Sequence, residues 1–369
     1  MSGLATDDIL HPKYDIAFIG AMNEDIVVSG AIRDSVKEIL DTDSPGWQHF
    51  AESTISDLAG EKIAHIVQPL FLKHKLGGAA FNAAQAASSF SPGLRLGMVG
   101  IAGTTTVSQS HIISLKGQQI DCTWLKQVHC PTALSISFVH DGDRTRFTSI
   151  GANKQAHHFL NENLKQLVEY LSKFKCVHIT SFLDSHTPKS LSELVDRLVN
   201  QAPETEISLS LGSKWANECP QAAMQLLSNA TLLHLSQKDF SLLGGKMRNE
   251  NDKRVARRIF AQMTRPKNKA LLVRRHGSIL VSHSGLSGDT NLIEVENPKI
   301  PGSYSSVETP WANDKLTGLM LAAIFLPQVQ IALAAKMGLA MASAQERHMD
   351  PDQPVNMWNM FREPTWDST

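Results

Sequence analysis

The chain reads Leu76-Gly77-Gly78-Ala79-Ala80-Phe81-Asn82-Ala83-Ala84, a tight turn that leads directly into a helix of small and apolar residues. A second stretch of this kind is Val307-Glu308-Thr309-Pro310-Trp311-Ala312-Asn313-Asp314-Lys315-Leu316-Thr317-Gly318. Both predicted helices begin with backbone N–H groups that could hold an anion or a hydroxyl. The second helix also carries a carboxylate, Asp314, on its first turn. A phosphate-holding helix start beside a proton-accepting carboxylate is what phosphoryl transfer to an alcohol requires.

Composition narrows the class of protein. The 369 residues include 35 Lys and Arg against 36 Asp and Glu, so the formal net charge of -1 gives no reason to expect nucleic acid or an acidic membrane as a partner. No secretory leader is recognised and the cysteines lack CxxC spacing, which favours reduced thiols in the cytoplasm. The apolar stretch 316–335 contains Gly318 and Pro327, so we expect a buried helix pair and not a membrane span.

The order of the predicted elements indicates an α/β protein. A first buried strand is expected at Asp15–Gly20. Further short apolar strands are predicted at 94–101, 134–139, 176–180, 207–211, 232–235 and 270–273, with helical patterns at 157–173, 190–200, 221–229 and 252–263 between many of them. Strands that alternate with helices predict a mainly parallel sheet covered on both faces.

Two segments interrupt this alternation. Helix-like stretches occupy 32–58, followed by a strand-like run at 63–67. Between 121 and 150, three strand-like runs follow one another with short turns, which predicts antiparallel hairpins. We therefore expect a core at 14–21, 77–120 and 151–348, a small lid at 22–76 and 121–150, and a C-terminal strap at 349–369.

The loops at the expected carboxyl edge of the sheet carry a family resemblance. They are Gly20 to Asp25, Gly77-Gly78 with Asn82, Pro131-Thr132, Gly151-Ala152-Asn153 and the Asp314 segment. In order and spacing they resemble the ribokinase-like carbohydrate kinases, the PfkB family, and the long lid insertion is similar to that of adenosine kinases. The resemblance implies an α/β three-layer sandwich with a mainly parallel central sheet and a small β-rich lid.

The resemblance also implies an activity and a set of roles. The activity is transfer of the ATP γ-phosphoryl group to a hydroxyl of a sugar or nucleoside, with Mg²⁺ bridging the phosphates and no metal ligand from the protein assigned directly. Asp314 matches the catalytic base, and Ala312 and Asn313 match the anion hole. The positions that match substrate contacts are Asn23, Asp25, Gly77, Gly78, Asn82 and Asn153. Those that match nucleotide or magnesium contacts are Ser236, Asp239, Arg274, Gly277 and Thr309.

Several positions depart from the family pattern. Glu308, Trp311 and Asn313 replace an Asp and two Gly residues of the anion-hole motif, and Ser236 replaces an Asn. A Trp side chain restricts backbone that glycine leaves free. These departures keep open an alternative, a catalytically degenerate family member that binds a ligand or a partner. A nicotinamide-dependent oxidoreductase is disfavoured, because no GxGxxG follows the first strand.

Single residues and the assembly state each allow more than one interpretation. Asp314 could be only a first-turn acid favoured by the helix dipole. Trp311 could be a packing residue or an aromatic platform, and Arg274 and Arg275 could bind phosphate or be solvated. The expected assembly is a monomer or a homodimer through the lid, and the identity of the small-molecule acceptor stays open.

Overall fold

The computed structural model describes residues 14–32, 34–49, 52–140, 143–275, 278–284, 290–296, 312–325 and 334–336. The expected C-terminal strap at 349–369 lies outside these residues, as does the second half of the helix pair expected at 316–335 apart from 334–336.

The described elements alternate along most of the chain. The strands are β1 Tyr14–Ile19, β2 Asn23–Ser29, β3 Glu52–Ile55, β4 Phe71–Gly77, β5 Leu96–Ala102, β6 Asp121–Gln127, β7 Ala133–His140, β8 Asp143–Ser149, β9 Phe174–Thr180, β10 Glu206–Ser210, β11 Leu232–Ser236, β12 Lys269–Arg275, β13 Ser278–Ser284 and β14 Thr290–Glu296. The helices are α1 Asp34–Asp43, α2 Asp57–Val67, α3 Ala79–Phe90, α4 Thr106–Gly117, α5 Ala156–Glu162, α6 Leu164–Leu171, α7 Thr187–Gln201, α8 Ser213–Glu218, α9 Pro220–Asn229, α10 Gln237–Leu243, α11 Asp252–Gln262 and α12 Ala312–Ile324.

The larger sheet has nine strands in the order β14-β13-β12-β11-β10-β9-β1-β5-β6. All pairings from β12 to β6 are parallel, whereas β13 and β14 extend the sheet by antiparallel pairing. The predicted mainly parallel sheet is confirmed.

Both faces of this sheet are buried. In β1, Ala17 and Ile19 belong to one apolar core, while Ile16 and Phe18 belong to the core on the opposite face. Successive strand residues point to opposite faces, so a strand buried on both sides reads as the continuous apolar run seen in the sequence. Helices α3 and α12 cover the second face.

The lid is a five-stranded sheet in the order β3-β8-β7-β2-β4. One face is apolar: Ile26, Ile136 and Phe147 lie side by side in register and form a core with helices α1 and α2. The other face is polar and carries Asp25, Ser135 and Thr148 in the same cross-strand row. The lid thus has its own hydrophobic support and presents a polar surface on its other side.

Two sequence predictions about the lid are wrong. The sequence places residues 121–127 in the lid as part of an antiparallel hairpin, but β6 pairs in parallel with β5 at the edge of the large sheet, where Trp124 packs near Phe159 and Tyr170. The strand-like run 63–67 is the second half of helix α2. The reason is a spacing of four: Ala59, Ile63 and Val67 lie on one helix face, and all three are buried.

Helix α12 begins at Ala312 and its apolar residues pack in the core. Among the described helices, none combines the length and the apolar character that a membrane span needs.

Helices α3 and α12 approach each other very closely at Gly318. A Cβ atom built on Gly318 would lie 2.0 Å from the carbonyl oxygen of Ala83 and 2.7 Å from its carbonyl carbon. No flexible side chain can yield there, because the contact is with backbone. Glycine at position 318 is therefore a requirement of this helix contact.

The Gly318 contact gives a stability prediction. We expect Gly318→Ala to lower the free energy of unfolding by about 1–3 kcal/mol, because the added methyl group overpacks the contact with α3. Urea denaturation measures the change. Gly117→Ala is the matched control, since a Cβ at this last residue of α4 meets nothing within 4 Å. Equal stability of the two variants would contradict the role given to Gly318.

Candidate functional site

A cavity of about 400 Å³ opens at the carboxyl ends of the parallel strands, beneath the polar face of the lid. Residues that follow or end β1, β9, β10, β11 and β12 line its base, as Ala21, Thr180, Ser210, Ser236 and Arg274 illustrate. This edge is where open α/β sheets bind ligands. We call the part lined by Asp25, Glu52, Arg146 and Thr148 the lid end of the cavity, and the part lined by Ser236, Asp239 and Arg274 the sheet end.

Asp314 lies on the first turn of α12 and lines the cavity. Asn82, which is 3% exposed on the first turn of α3, donates a hydrogen bond from Nδ2 to Asp314 Oδ2 at 3.1 Å. Burial raises the pKa of the Asp314 carboxyl, and the hydrogen bond from Asn82 partly opposes the rise. The carboxylate is therefore held in one orientation and is more basic than an exposed aspartate.

Asp25 is the second carboxylate of the cavity. Burial raises its pKa to about 6; the charges of Arg146 and Lys75 oppose the rise, and Asp314 adds to it. The position of Asp25 depends on Gly77, because a Cβ on Gly77 would lie 2.0 Å from Asp25 Oδ2. The glycine leaves the space that the carboxylate occupies.

Gly78 turns the chain from strand β4 into helix α3. Its φ is +106°, a conformation that favours glycine, and a Cβ there would lie 2.2 Å from the carbonyl oxygen of Ala21. The free N-terminus of α3 is thereby brought against the loop that follows β1. The two glycines have different roles: Gly77 leaves room for the Asp25 carboxylate, and Gly78 allows the turn.

Asn23 and Asn153 form a pair between the lid and the loop after β8. Asn153 Nδ2 donates to Asn23 Oδ1 at 3.2 Å and to the carbonyl of Met22 at 3.3 Å. Asn153 is 4% exposed, and its Oδ1 accepts no hydrogen bond from the described residues. Both residues line the cavity, and the buried amide oxygen of Asn153 keeps an unused capacity to accept a hydrogen bond.

At the sheet end, Ser236 and Asp239 form an N-terminal cap of helix α10. Ser236 Oγ accepts from the backbone N–H of Asp239 at 3.1 Å and donates to Asp239 Oδ2 at 2.6 Å. The carboxylate of Asp239 is thus fixed at a helix N-terminus that faces the cavity.

The adjacent residues Arg274 and Arg275 have different surroundings. Arg274 lines the cavity. Arg275 Nε donates to Gln237 at 2.8 Å, and its other nitrogens reach Asp252 at 2.5 Å and Glu294 at 3.2 Å. Arg275 is therefore a structural residue that ties β12 to α11 and β14.

The acidic residues of the site suit Mg²⁺ only in part. Magnesium takes one or two carboxylates and fills its other positions with water and phosphate oxygens. Asp239 offers one such carboxylate. In the portion of the chain that the structure describes, no group of three or more His, Cys, Asp or Glu is placed so that it could hold a metal ion. This donor set fits an ion carried largely by nucleotide phosphates.

The structure thus gathers most of the predicted residues around one cavity: Asn23, Asp25, Gly78, Asn153, Ser236, Asp239, Arg274 and Asp314 line it, and Asn82 and Gly77 contact its carboxylates. Ala312 and Asn313 are the first two residues of α12. Thr309 and Gly277 lie outside the described residues, and so does Trp311.

Sequence reasoning missed two charged residues of the lid end, Arg146 and Glu52. The signal for Arg146 was the alternation in β8, where Arg144, Arg146 and Thr148 share one face and buried Phe147 lies on the other. The register of the strands was needed as well, since β3 and β8 are far apart in sequence.

The chain is similar to known kinases in sequence and in fold. The family model "pfkB family carbohydrate kinase" matches residues 62–287. Among solved structures, the adenosine kinase from Sinorhizobium meliloti has a TM-score of 0.72 at 18% identity, covering 94% of this chain and 98% of that one. A probable sugar kinase from Rhizobium etli CFN 42 has a TM-score of 0.73 at 17% identity, with 95% and 98% covered.

A third similar structure is the adenosine kinase from Schistosoma mansoni in complex with adenosine in an occluded loop conformation. Its TM-score is 0.72 at 13% identity, and 91% of this chain and 95% of that chain are covered. At these identities the likeness supports the fold, and the ribokinase-like architecture is confirmed. The search of curated proteins gave no match.

The raised pKa of Asp25 gives a prediction for stability against pH. The folded protein binds the Asp25 proton more tightly than the unfolded chain, so ionising this group lowers stability as pH rises from about 4 to about 6. Asp25→Asn removes this loss. We expect the free energy of unfolding of Asp25→Asn, measured in urea, to increase relative to that of the wild type as pH rises across this range. Parallel pH profiles for the two proteins would show that Asp25 titrates normally.

Proposed function

Because the chain belongs to the pfkB family of carbohydrate kinases, we propose that it transfers the γ-phosphoryl group of ATP to a hydroxyl of a sugar or nucleoside, with Asp314 as the catalytic base. The observation that carries this proposal is the hydrogen bond from Asn82 to Asp314 at the wall of the cavity. This bond joins the first turn of α3, which follows Gly77-Gly78, to the first turn of α12, which carries Asp314. An oriented, partly buried carboxylate beside a helix N-terminus has the parts that phosphoryl transfer to an alcohol needs.

In the proposed reaction, Asp314 takes the proton of the acceptor hydroxyl. The oxygen then forms a bond to the γ-phosphorus, the bond from that phosphorus to the β,γ-bridging oxygen breaks, and ADP leaves with the electron pair. Because burial raises the pKa of Asp314, the carboxylate is a stronger base than an exposed one. Asn82 keeps one carboxylate oxygen engaged and leaves the other to face the acceptor.

The start of helix α12 has a second task in this proposal. Backbone N–H groups at Ala312 and Asn313 lie on the first helical turn, where the helix dipole is positive. Negative charge that builds on the transferring phosphoryl oxygens would be stabilised there. The departures at Trp311 and Asn313 change side chains, whereas the donors in this role are main-chain groups.

The triphosphate is assigned to the sheet end. Arg274 offers a guanidinium for phosphate oxygens, and Asp239, fixed by Ser236, offers a carboxylate toward a magnesium ion. When bound, Mg²⁺ neutralises phosphate charge and orients the γ-phosphoryl group. Asn23, Asp25 and Asn153 at the opposite side would hold the other hydroxyls of the acceptor.

The proposal is tested by Asp314→Asn. This change keeps the shape of the side chain and removes its basicity, so we expect the turnover number with ATP and the best acceptor to fall by about 10²–10⁴-fold. Binding of magnesium ATP, measured by calorimetry, should be retained. Asp34→Asn is the matched control, because Asp34 also lies in the first turn of a helix and is exposed.

Measurements on the wild type and on Asp314→Asn distinguish a catalytic from a non-catalytic role. An unchanged turnover number in Asp314→Asn would remove Asp314 from the chemistry. Tight nucleotide binding by the wild type, with no phosphorylated product from any sugar or nucleoside, would instead support a ligand-binding role without catalysis.

A further inference from the structure

We propose that His111 is a positioning residue of the acceptor site: its Nε2–H donates a hydrogen bond to the carbonyl oxygen of Gly77 and holds the Gly77-Gly78 turn in the conformation that the cavity requires. The kinetic part of this inference rests on the proposed kinase activity, whereas the structural part does not. His111 belongs to helix α4 and lies outside the set of described residues that line the cavity. The assigned chemistry gives it no role.

The imidazole of His111 is buried between helix α4 and the end of strand β4, and the residue is 0% exposed. Its Nε2 lies 3.3 Å from the carbonyl oxygen of Gly77, and its Nδ1 lies 3.0 Å from that of Val107, one turn earlier on α4. The ring of Phe81 on α3 meets it in a T-shaped arrangement, with the ring centroids 4.6 Å apart. The imidazole is therefore held by α4 and α3 while it contacts the turn between β4 and α3.

Each ring nitrogen of His111 faces a carbonyl oxygen, but a neutral imidazole carries only one N–H. Burial lowers the pKa of His111, and its hydrogen bonds to the backbone of Val107, Gly77 and Asn23 oppose the change. The ring is therefore neutral at pH 7, and only one carbonyl receives its proton. The Val107 carbonyl lies inside α4, where the helix ladder already supplies the backbone N–H of His111. The proton is accordingly placed on Nε2, toward Gly77.

The Gly77-Gly78 turn has no side chain of its own to hold it. Two successive glycines have the widest choice of backbone conformations, so the single conformation seen here, with Gly78 at φ +106°, needs support from outside the turn. A hydrogen bond to the Gly77 carbonyl fixes the plane of the peptide that joins the two glycines, because the peptide group is planar. The N–H of Gly78 lies in the same trans peptide and points away from His111.

The plane of this peptide affects two parts of the cavity wall. A Cβ on Gly77 would lie 2.0 Å from Asp25 Oδ2, so the Asp25 carboxylate rests directly against the turn. Helix α3 begins at Ala79, immediately after the turn, and carries Asn82, the hydrogen-bond partner of the proposed base. Rotation of the peptide would displace both the carboxylate and the start of the helix. His111 thus acts on the site through Gly77 and not by contact with a ligand.

Replacement by Asn or by Gln separates the two ring nitrogens of His111. The side-chain amide nitrogen of Gln can reach the place of Nε2, whereas that of the shorter Asn reaches the place of Nδ1. Both replacements lose the ring contact with Phe81 and put an amide into the same buried place. A general loss of packing therefore affects the two variants alike, and the bond to Gly77 distinguishes them.

The structural measurement is hydrogen exchange of the backbone amides of residues 77–82 in the protein without ligands. We expect exchange there to be about tenfold faster in His111→Asn than in the wild type, because a hydrogen bond to a buried carbonyl is lost, and within about threefold of the wild type in His111→Gln.

The kinetic measurement uses magnesium ATP and the best acceptor from a panel of sugars and nucleosides. We expect KM for the acceptor to rise about tenfold in His111→Asn and to change by less than about threefold in His111→Gln. KM for ATP should be unchanged in both variants, since the triphosphate is assigned to the sheet end.

Ser114→Ala is the matched control. Ser114 lies on the next turn of α4 after His111, and its Oγ accepts a hydrogen bond from Gln85 Nε2 on α3 at 2.7 Å. The change removes a polar contact between the same two helices, further along α3 from the turn. Exchange at 77–82 and both KM values should match those of the wild type.

The outcomes distinguish the inference from the function on which its kinetic part rests. Wild-type exchange at 77–82 in His111→Asn would remove His111 as the support of the turn, and equal acceleration in the Asn and Gln variants would reduce its role to packing. Faster exchange in the Gln variant alone would place the proton on Nδ1 and overturn the inference. Faster exchange in His111→Asn with an unchanged acceptor KM would overturn the positioning role. Failure of the wild type to phosphorylate any acceptor would overturn the proposed function, and hydrogen exchange would still decide whether His111 holds the turn.

Discussion

The contact between helices α3 and α12 is the constraint on which the site depends. Gly318 rests against the backbone of Ala83, so the two helices approach as closely as backbone atoms allow. Asp314 lies one turn before Gly318 on the same face of α12, and Asn82 directly precedes Ala83. The close approach therefore sets the distance between Asn82 and Asp314, and a hydrogen bond of 3.1 Å joins them.

The two faces of the lid sheet have different roles. Its apolar face packs with α1 and α2 around residues such as Phe147, so the sheet holds together without burying its other face. That other face can then carry Asp25, Glu52 and Arg146 toward the cavity. Adjacent side chains of a strand point in opposite directions. The same strands can therefore carry apolar residues on the face that packs with the helices and polar residues on the face toward the cavity.

Burial and charge act against each other within the cavity. Burial is the largest cause of the raised pKa of both Asp25 and Asp314, and each carboxylate faces cationic side chains that oppose the rise. Arg146 is one of these cations for both acids. The lid thus limits the rise in the pKa of Asp314, a carboxylate on helix α12, which packs on the large sheet.

The sequence by itself determined the local features: the alternation of strands and helices, the two helix starts, and the carboxylate at 314. Each of these is decided by residues a few positions apart, as Gly77-Gly78 and Asn82 illustrate. It could not assign β6 to the large sheet, since strand partners are chosen across long stretches of chain, and a short apolar run such as 63–67 fits a helix as well as a strand. Only the tertiary structure paired Arg146 with Glu52, 94 residues earlier, because their meeting depends on the register of two distant strands.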